Sequence, residues 1–267
     1  MSPATSYDID VVVTRGNAAE SVHHVSAAVV AGGSLIGYAG NPGLATYWRS
    51  CAKPFQLMPF MSSGHLDELG WGADEIALAC ASHGGEPEHV AIAERMLSDL
   101  GLEEGDLACG AAEPLSQRGQ RILRESGGRT TRLHNNCSGK HAAMLACAQT
   151  AGWPTAGYDH LEHPVQQAIV QTIEDWTDTP RSRIMIARDG CGVPVFGITL
   201  EAMARAFARF ASAIDRDEDV PARIGNSMIC NPFLVGGTDR FDTVVMSEAP
   251  GVVCKIGAEG VHSAAIV

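Results

Sequence analysis

The sequence predicts one α+β domain, because strand-like segments lie near both ends of the chain and segments with helical periodicity fill the middle. Each predicted strand is a short run of apolar and β-branched residues bounded by turn residues. The predicted strands are residues 9–14, 24–30, 34–39, 243–247, 252–256 and 261–267. We expect the terminal strands to share one antiparallel sheet that the helical middle covers, with residues 1–267 in a single domain.

The predicted helical middle begins near residue 50. DEIALACASH, HVAIAERMLSDL and GKHAAMLACAQTAG carry apolar residues at helical spacing, and residues 163–176 predict a further helix. RIMIARDGCGVPVFGITL then predicts a strand, a glycine turn and a second strand, and EAMARAFARFASAI predicts another helix. Neither an internal repeat nor a composition break marks a linker, which favours one domain.

Composition and charge argue against several classes of partner. The net charge of −12 disfavours nucleic acid and anionic membranes, since both bind basic surfaces. The first residues, MSPATSYDIDVVVTRG, lack the basic and apolar regions of a signal peptide, and the longest apolar stretch is broken by glycines. The 8 cysteines are scattered without paired spacing, so we expect reduced thiols in a cytoplasmic protein, with a subset available to bind metal.

Lysine is rare in this chain. Of the 19 basic residues only 3 are lysine, in SCAK (Lys53), CSGKH (Lys140) and VCKIGAEG (Lys255). Arginine cannot lose its proton in a protein, whereas a buried lysine can. We interpret the three lysines as positions that require a neutral amine or a compact ammonium group. The alternative is that three lysines are too few to support any interpretation.

Ser50 and Lys53 are spaced as a nucleophile and its base would be on a helix. Side chains at i and i+3 lie on one face, about 5–6 Å apart at Cβ. Because proline is tolerated only in the first turn, Pro54 predicts that the helix begins close to Ser50. The helix dipole and the apolar neighbours would then lower the pKa of Lys53, and free backbone N–H groups beside Ser50 could hold an oxyanion. The alternative is that Ser50 only caps the helix, since a lone S-x-x-K is a weak signal.

Two further segments complete a known order of motifs. CASHGGEPEH places Ser82 and His83 in a turn directly after a helical segment, and KIGAEG places Lys255 on a strand beside Gly257. S-x-x-K, a loop serine and K-x-G follow one another in serine β-lactamases and penicillin-binding proteins. In that arrangement the second serine and lysine relay a proton to the leaving group, and the glycine lets a substrate lie along the strand.

A second cluster suggests a metal site. LHNNCSGKHAAMLACA predicts that Cys137, Lys140 and His141 lie together at the start of a helix, and RDGCGVP supplies Cys191 from a hairpin turn, with Asp189 two residues earlier. Two thiolates and a nitrogen donor suit Zn²⁺ with one open position. A redox-active cysteine pair, a cysteine nucleophile and two buried structural thiols remain as alternatives.

Six blocks together resemble the thermolabile, rhizobial-type L-asparaginase II family. They are, in the family's order, YWRSCAKPFQ, ALACASHGGEPEHV, LHNNCSGKHAAML, DGCGVPVF, PFLVGGTDRFDT and KIGAEGV. The resemblance runs from about residue 10 to the C-terminus. It implies a serine β-lactamase-like fold, hydrolysis of L-asparagine to aspartate and ammonia, and a homodimer.

The resemblance also implies roles for individual residues. The two Ser–Lys tandems would be Ser50–Lys53 and Ser82–Lys255, and one Zn²⁺ would be bound by Cys137, Lys140 and Cys191. Lys140 thereby replaces His141, which spacing alone would favour as the nitrogen ligand. The implied substrate-binding residues are Arg49, His83, Asn136, His141, Asp189 and Gly257. A metal-bound lysine must be neutral, which agrees with the selective use of lysine.

The chain departs from the family pattern in two places. CGAAEP stands where the family usually has a histidine near residue 109, which leaves no role to assign there. The sequence stops at Val267, shortly after KIG, whereas a β-lactamase-like domain continues with further strands and a C-terminal helix. We therefore expect a truncated domain with one sheet edge or face exposed.

The sequence thus predicts an amidohydrolase in which Lys53 deprotonates Ser50, and Ser82 and Lys255 relay a proton to the departing ammonia. One rival hypothesis is a penicillin-recognising hydrolase, or another serine hydrolase acting on amides. A rival from another class is a non-catalytic protein that binds zinc.

Overall fold

The computed structural model describes residues 3–267 as small β-sheets surrounding a set of packed helices. The strands are β1 (Thr5–Tyr7), β2 (Asp10–Arg15), β3 (Ala18–His24), β4 (Ala27–Ala31), β5 (Ser34–Ala39), β6 (Ala45–Tyr47), β7 (Met185–Arg188), β8 (Pro194–Thr199), β9 (Val252–Ile256) and β10 (His262–Ile266). The α+β class predicted from the sequence is confirmed.

Most of the helices lie between β6 and β9, as the periodicity predicts. They are α1 (Lys53–Ser62), α2 (His65–Glu68), α3 (Ala73–Ala79), α4 (Pro87–Asp99), α5 (Gln117–Glu125), α6 (Ser138–Thr150), α7 (Pro164–Thr177), α8 (Leu200–Asp215), α9 (Asp219–Cys230), α10 (Pro232–Val235) and α11 (Phe241–Glu248). Within residues 3–267 no helix has the length and apolar character needed to cross a bilayer.

The strands form four separate sheets. β5 pairs in parallel with β1 and antiparallel with β4, and β2 and β3 form an antiparallel hairpin. β8 lies between β6 and β7, antiparallel to both, and β9 and β10 form a second antiparallel hairpin.

The expectation that strands from both chain ends share one sheet is wrong for the part of the chain that the structure describes. There β4 hydrogen-bonds only to β5, and β10 only to β9. Both strands instead rest on α8, whose Met203 and Phe207 are buried. Packing on a common helix, rather than a hydrogen-bonded ladder, brings the two chain ends together.

The prediction of a strand at residues 243–247 is also wrong, because this segment lies inside α11. Its β-branched residues favour a strand only weakly, and tertiary contacts override such preferences. Asp242 in the first turn of α11 is buried against β9, and Met246 one turn later is buried as well. Asp242 and Met246 are four residues apart, so a helix places both on one face, and this face is the buried one.

An aromatic cluster lies directly beneath the turn that contains Ser50. The rings of Trp48 and Phe55 stack with their centroids 4.9 Å apart, and Phe207 and Phe210 pack edge-on or tilted against them. The indole N–H of Trp48 donates a 3.0 Å hydrogen bond to Ser263 on β10. Burial of such large side chains contributes strongly to stability, so the cluster gives the turn a rigid base.

Helices α3 and α6 approach each other closely because α6 carries a glycine at the contact. A Cβ built on Gly139 would lie 2.5 Å from the carbonyl oxygen of Leu78. The contact lies next to Lys140 on α6 and shortly before Ser82, which follows α3. The spacing of these two helices therefore sets the spacing of two candidate site residues.

A buried carboxylate joins the loop that carries Ser82 to the segment before α11. Glu86 is fully buried, and its oxygens accept hydrogen bonds from the backbone N–H and the hydroxyl of Thr238, both 2.7 Å long. Arg118 forms an ion pair with the same carboxylate. Burial opposes ionisation, but the hydrogen bonds from Arg118 and Thr238 outweigh it and lower the pKa of Glu86.

Replacing Gly139 by alanine is expected to lower the free energy of unfolding by about 1–3 kcal/mol, because the added methyl group forces α3 and α6 apart. Urea denaturation followed by circular dichroism measures the change. Gly110→Ala is the matched control, since a Cβ there meets open space. Equal stability of the two variants would contradict the close approach.

Glu86→Gln is expected to lower the free energy of unfolding by about 1–3 kcal/mol at pH 7, because a buried donor loses its anionic acceptor. The pKa of Glu86 is lowered in the folded state, so its contribution is present above the ordinary pKa of glutamate and is lost as the pH falls through the folded value. The difference between the wild type and the variant should therefore shrink in acid.

The control for Glu86 is Glu88→Gln, which removes an exposed carboxylate that pairs with the same Arg118. Its loss should be much smaller, because exposed ion pairs contribute little. A pH-independent difference for Glu86→Gln would show that the carboxylate charge is not what stabilises the loop.

Candidate active site

Ser50 lies in a tight turn that leads directly into α1. Residues Arg49–Ala52 form a 3-10 turn, α1 begins at Lys53, and Pro54 occupies the first helical turn. The predicted helix start is confirmed. Neither the turn nor α1 has a side-chain cap hydrogen bond, so the alternative that Ser50 merely caps the helix is not supported. The Ser50 hydroxyl is partly exposed and makes no hydrogen bond within residues 3–267.

The residue before Ser50 holds an unusual backbone conformation. Arg49 has a φ of 54°, in the left-handed region that non-glycine residues rarely adopt. Its guanidinium donates a 2.9 Å hydrogen bond to Asp189, which lies on the hairpin between β7 and β8. Strained backbone of this kind persists where surrounding contacts hold it, and the Asp189 ion pair is such a contact.

The amine of Lys53 is buried among oxygen atoms. It contacts the carbonyl oxygen of Ala81, the Ser82 hydroxyl at 3.2 Å and the carbonyl oxygen of Asn136 at 3.4 Å. Burial lowers the pKa of Lys53; the charge of Cys137 opposes this shift, and the charges of Lys140 and Lys255 add to it. The amine therefore lies beside Ser82 and is disposed to give up its proton.

Lys255 is buried in a different environment. Its Nζ is 2.9 Å from a carboxylate oxygen of Asp242 and 2.9 Å from the carbonyl oxygen of Ile256. Within the described residues it makes no hydrogen bond to Ser82; Ser82 contacts Lys53 instead. The sequence motifs assign no role to Asp242, although Asp242 lies in the block PFLVGGTDRFDT and a buried lysine requires a partner. The acidic residues of that block are the signal that could have identified it.

Gly257 is required where β9 passes the Ser50 turn. A Cβ on Gly257 would lie 3.1 Å from both the Cys51 sulfur and the Trp48 carbonyl oxygen. The Cys51 thiol also donates to the carbonyl oxygen of Lys255, 3.0 Å away. The glycine thus lets the strand that carries Lys255 lie against the turn that carries Ser50.

The loop after α3 presents Ser82 and fixes His83. The Ser82 N–H bonds the carbonyl oxygen of Val235. His83 accepts at Nδ1 from the N–H of Gly85, so its Nε2–H donates to the Ser138 hydroxyl 2.9 Å away. Both ring nitrogens of His83 are therefore engaged by the protein, and burial lowers its pKa well below the usual value.

The start of α6 and the β7–β8 hairpin bring together the residues expected to bind metal. The Lys140 amine lies 3.0 Å from the Cys191 sulfur. Interaction with the neighbouring Cys137 side chain, opposed by burial and aided by Lys140, lowers the pKa of Cys191 to about 5. Two sulfurs and one nitrogen therefore converge at a buried point, a donor set that fits Zn²⁺.

Asn136 and His141 flank this cluster. The side-chain oxygen of Asn136 accepts from the Cys137 thiol at 3.0 Å. His141 Nδ1 lies 2.6 Å from the hydroxyl of Tyr158, which in turn accepts from the N–H of Ala108. Burial lowers the pKa of His141 to about 3, so the ring is neutral, and its buried Nε2 has no partner among the described residues.

All eight cysteines, which lie within the described residues, are free thiols, and all except Cys230 are buried. The expected reduced state is therefore consistent with the structure.

One comparison with known proteins identifies the family of the chain. The family model for L-asparaginase II matches residues 11–267. A comparison with curated proteins gives no match. Because the matched region extends over almost the whole chain and includes every candidate site residue, the chain belongs to the L-asparaginase II family of amidohydrolases.

Proposed function

We propose that the protein hydrolyses L-asparagine to aspartate and ammonia by a Ser–Lys mechanism on a serine β-lactamase-like scaffold. The observation that supports this most directly is the buried Lys53 amine, which has a lowered pKa, follows Ser50 by three residues and lies 3.2 Å from the Ser82 hydroxyl. The family match supports the substrate class.

In the proposed reaction Ser50 is the nucleophile. Its hydroxyl is partly exposed and unpaired, whereas Ser82 is buried and bound to Lys53. Lys53 accepts the Ser50 proton as the oxygen attacks the side-chain amide carbon, and backbone N–H groups at the start of α1 hold the oxyanion. The C–N bond then breaks to give a Ser50 acyl ester, and water hydrolyses it.

Ammonia leaves with a proton that Ser82 and Lys255 relay. A neutral Lys53 can keep two N–H groups on carbonyl oxygens and use its lone pair to accept the Ser82 hydroxyl proton. Ser82 can therefore exchange protons with Lys53, and we assign to it the transfer towards the leaving group.

The remaining side chains bind the substrate in this proposal. Arg49 and Asp189 offer groups for its α-carboxylate and α-amine, and the unpartnered Nε2 of His141 offers a buried donor or acceptor. We expect Asn136 to orient its neighbours, and Gly257 to leave room beside β9. The resemblance also implies a substrate contact for His83, whose nitrogens are engaged by the protein.

Cys137, Lys140 and Cys191 would hold zinc. When bound, the zinc would act as a Lewis acid that binds the α-carboxylate or α-amine of the substrate. Lysine fits this position because it can bind as a neutral amine, which arginine cannot.

We also propose a cytoplasmic homodimer. The exposed valines of the β2–β3 hairpin, Val11, Val12, Val13 and Val22, support an interface there, since adjacent exposed apolar side chains often mark contacts. Light scattering on the purified protein tests the assembly state.

Ser50→Ala and Lys53→Met are each expected to reduce ammonia release from asparagine by at least about 1,000-fold, because a nucleophile or its base is lost. A coupled assay for ammonia measures the rate. Ser62→Ala, an exposed serine on the same helix, is the control.

Substantial turnover by Ser50→Ala would refute the nucleophile assignment. In a burst experiment, mass spectrometry should find the acyl group on Ser50. An acyl group on Ser82 would show that Ser82, and not Ser50, is the nucleophile. Hydrolysis of nitrocefin without ammonia release would favour the penicillin-recognising alternative.

Lys140→Arg and Cys137→Ser are each expected to lower bound zinc from about one ion per chain to a small fraction, because each removes a ligand. Elemental analysis of the purified protein measures the content. Cys147→Ser, a buried thiol farther along α6, should retain the metal. Zinc retained without any turnover of amides in the wild type would favour the non-catalytic alternative.

A further inference from the structure

The two lysines of the candidate site have different electrostatic partners. Lys255 is completely buried, and it faces the buried carboxylate of Asp242 at 2.9 Å. Lys53 is also buried, but within residues 3–267 its hydrogen-bond partners are two carbonyl oxygens and the Ser82 hydroxyl. A buried ammonium group is stable when it is paired with an anion, and otherwise tends to lose its proton.

We propose that Asp242 is a positioning residue that keeps Lys255 in its ammonium form, so that Lys255 donates a proton during the reaction while Lys53 accepts one. This inference rests on the proposed function. It adds to that function separate roles for the two lysines, with Lys53 as proton acceptor and Lys255 as proton donor, and it names Asp242 as the residue that maintains this difference.

The geometry of Asp242 suits this role. One carboxylate oxygen accepts from both Lys255 Nζ, at 2.9 Å, and the backbone N–H of Ile256, at 3.0 Å. The carboxylate is thus bound both to the lysine amine and to the backbone of the next residue of the strand. Because Asp242 lies in the first turn of α11, the favourable end of the helix dipole also stabilises its negative charge.

The other groups that face this ion pair are weak competitors. Burial raises the pKa of Cys254 to about 12 and that of Cys51 to about 11, so both thiols are neutral, and burial lowers the pKa of His262. Within residues 3–267, Asp242 is the only carboxylate in ion-pair contact with Lys255. Among the described residues, the titratable or charged groups around Lys255 include Asp242 on α11, Cys254 on β9, His262 on β10, Cys51 in the Ser50 turn, Lys53 on α1 and Cys80 at the end of α3, whose pKa burial raises to about 12.

The proton balance follows from the two charge states. Lys53 takes the Ser50 proton during attack and becomes ammonium, while Lys255 gives one proton to the departing nitrogen and becomes an amine. Because Lys255 makes no hydrogen bond to Ser82 within the described residues, the proposed relay through Ser82 requires the bound substrate or a water molecule to bridge the two side chains. Transfer from Lys53 to Lys255 along the same bridge then restores both. The positive charge of Lys255 also helps to keep Lys53 neutral before the reaction, since it lowers the pKa of Lys53.

A rival interpretation is a cation site. Ligand atoms of Asp242, Cys254 and His262 all lie within 4.8 Å of one another. A metal ion there would have to displace a proton from the Cys254 thiol and would face the Lys255 ammonium group. The charges therefore favour the ion pair, and metal analysis separates the two.

Nuclear magnetic resonance of protein labelled with ¹⁵N at the lysine Nζ tests the charge state directly. The chain has only 3 lysines, so Lys255→Met identifies the Lys255 signal. We expect an ammonium signal from Lys255 in the wild type at pH 7. A neutral amine there overturns the proposal, whether or not any Asp242 variant folds and whether or not the protein hydrolyses asparagine.

Asp242→Asn is expected to weaken the Lys255 ammonium signal relative to the wild type as the pH is raised, because the carboxylate 2.9 Å from Nζ loses its charge. The alkaline limb of the kcat/KM profile should move to lower pH, and kcat should fall about 100-fold with little change in KM. Glu248→Gln, an exposed acid on the same helix, should change none of these.

Two further variants separate positioning from stability. Asp242→Glu keeps the charge and should restore part of kcat and the position of the alkaline limb. In a Lys255→Met background, Asp242→Asn should cause no additional loss of kcat; an additional loss of about 100-fold would indicate a merely structural role. A zinc ion that is lost in His262→Ala, together with activity, would also overturn the proposal.

If the wild type releases no ammonia from asparagine, the proposed function fails while the Lys255 titration still decides the role of Asp242. If ammonia is released but Asp242→Asn leaves both the titration and the pH profile unchanged, only the inference about Asp242 fails.

Discussion

The candidate site depends on the burial of one amine, that of Lys53. A buried amine must find polar partners, and here they come from two other segments, the loop after α3 and the residue before Cys137. These contacts fix α1, the Ser82 loop and the start of α6 relative to one another. Any movement of one segment would leave a polar atom unsatisfied in a closely packed interior.

Two further links join this centre to the ends of the site. The Arg49–Asp189 ion pair connects the Ser50 turn to the hairpin that carries Cys191, and the absence of a side chain at Gly257 lets β9 lie against the same turn. The Ser50 turn is therefore held from both sides, by a charge on one and by close packing on the other. The candidate site residues need not all be close in sequence, because the segments that carry them are positioned against this turn.

The sequence predicted the local features of the site better than the packing around it. A helix start close to Ser50 followed from Pro54. The meeting of Lys140 with Cys191 was implied by the family resemblance, because the two residues are far apart in sequence. Strand pairing between distant segments was not predictable, because it depends on contacts that local periodicity does not encode. Asp242 was missed for the same reason, since its segment reads as a strand until Lys255 is placed beside it.

The burial of all three lysines has a consequence for the chemical handling of the protein. Lys53, Lys140 and Lys255 are each at most 4% exposed, so no ε-amine within residues 3–267 is open to reagents in solution. Amine-directed dyes and crosslinkers would reach these side chains only when the structure opens locally. The extent of acylation over time would thus report the opening of the core that surrounds the site, with each modified lysine marking a different segment.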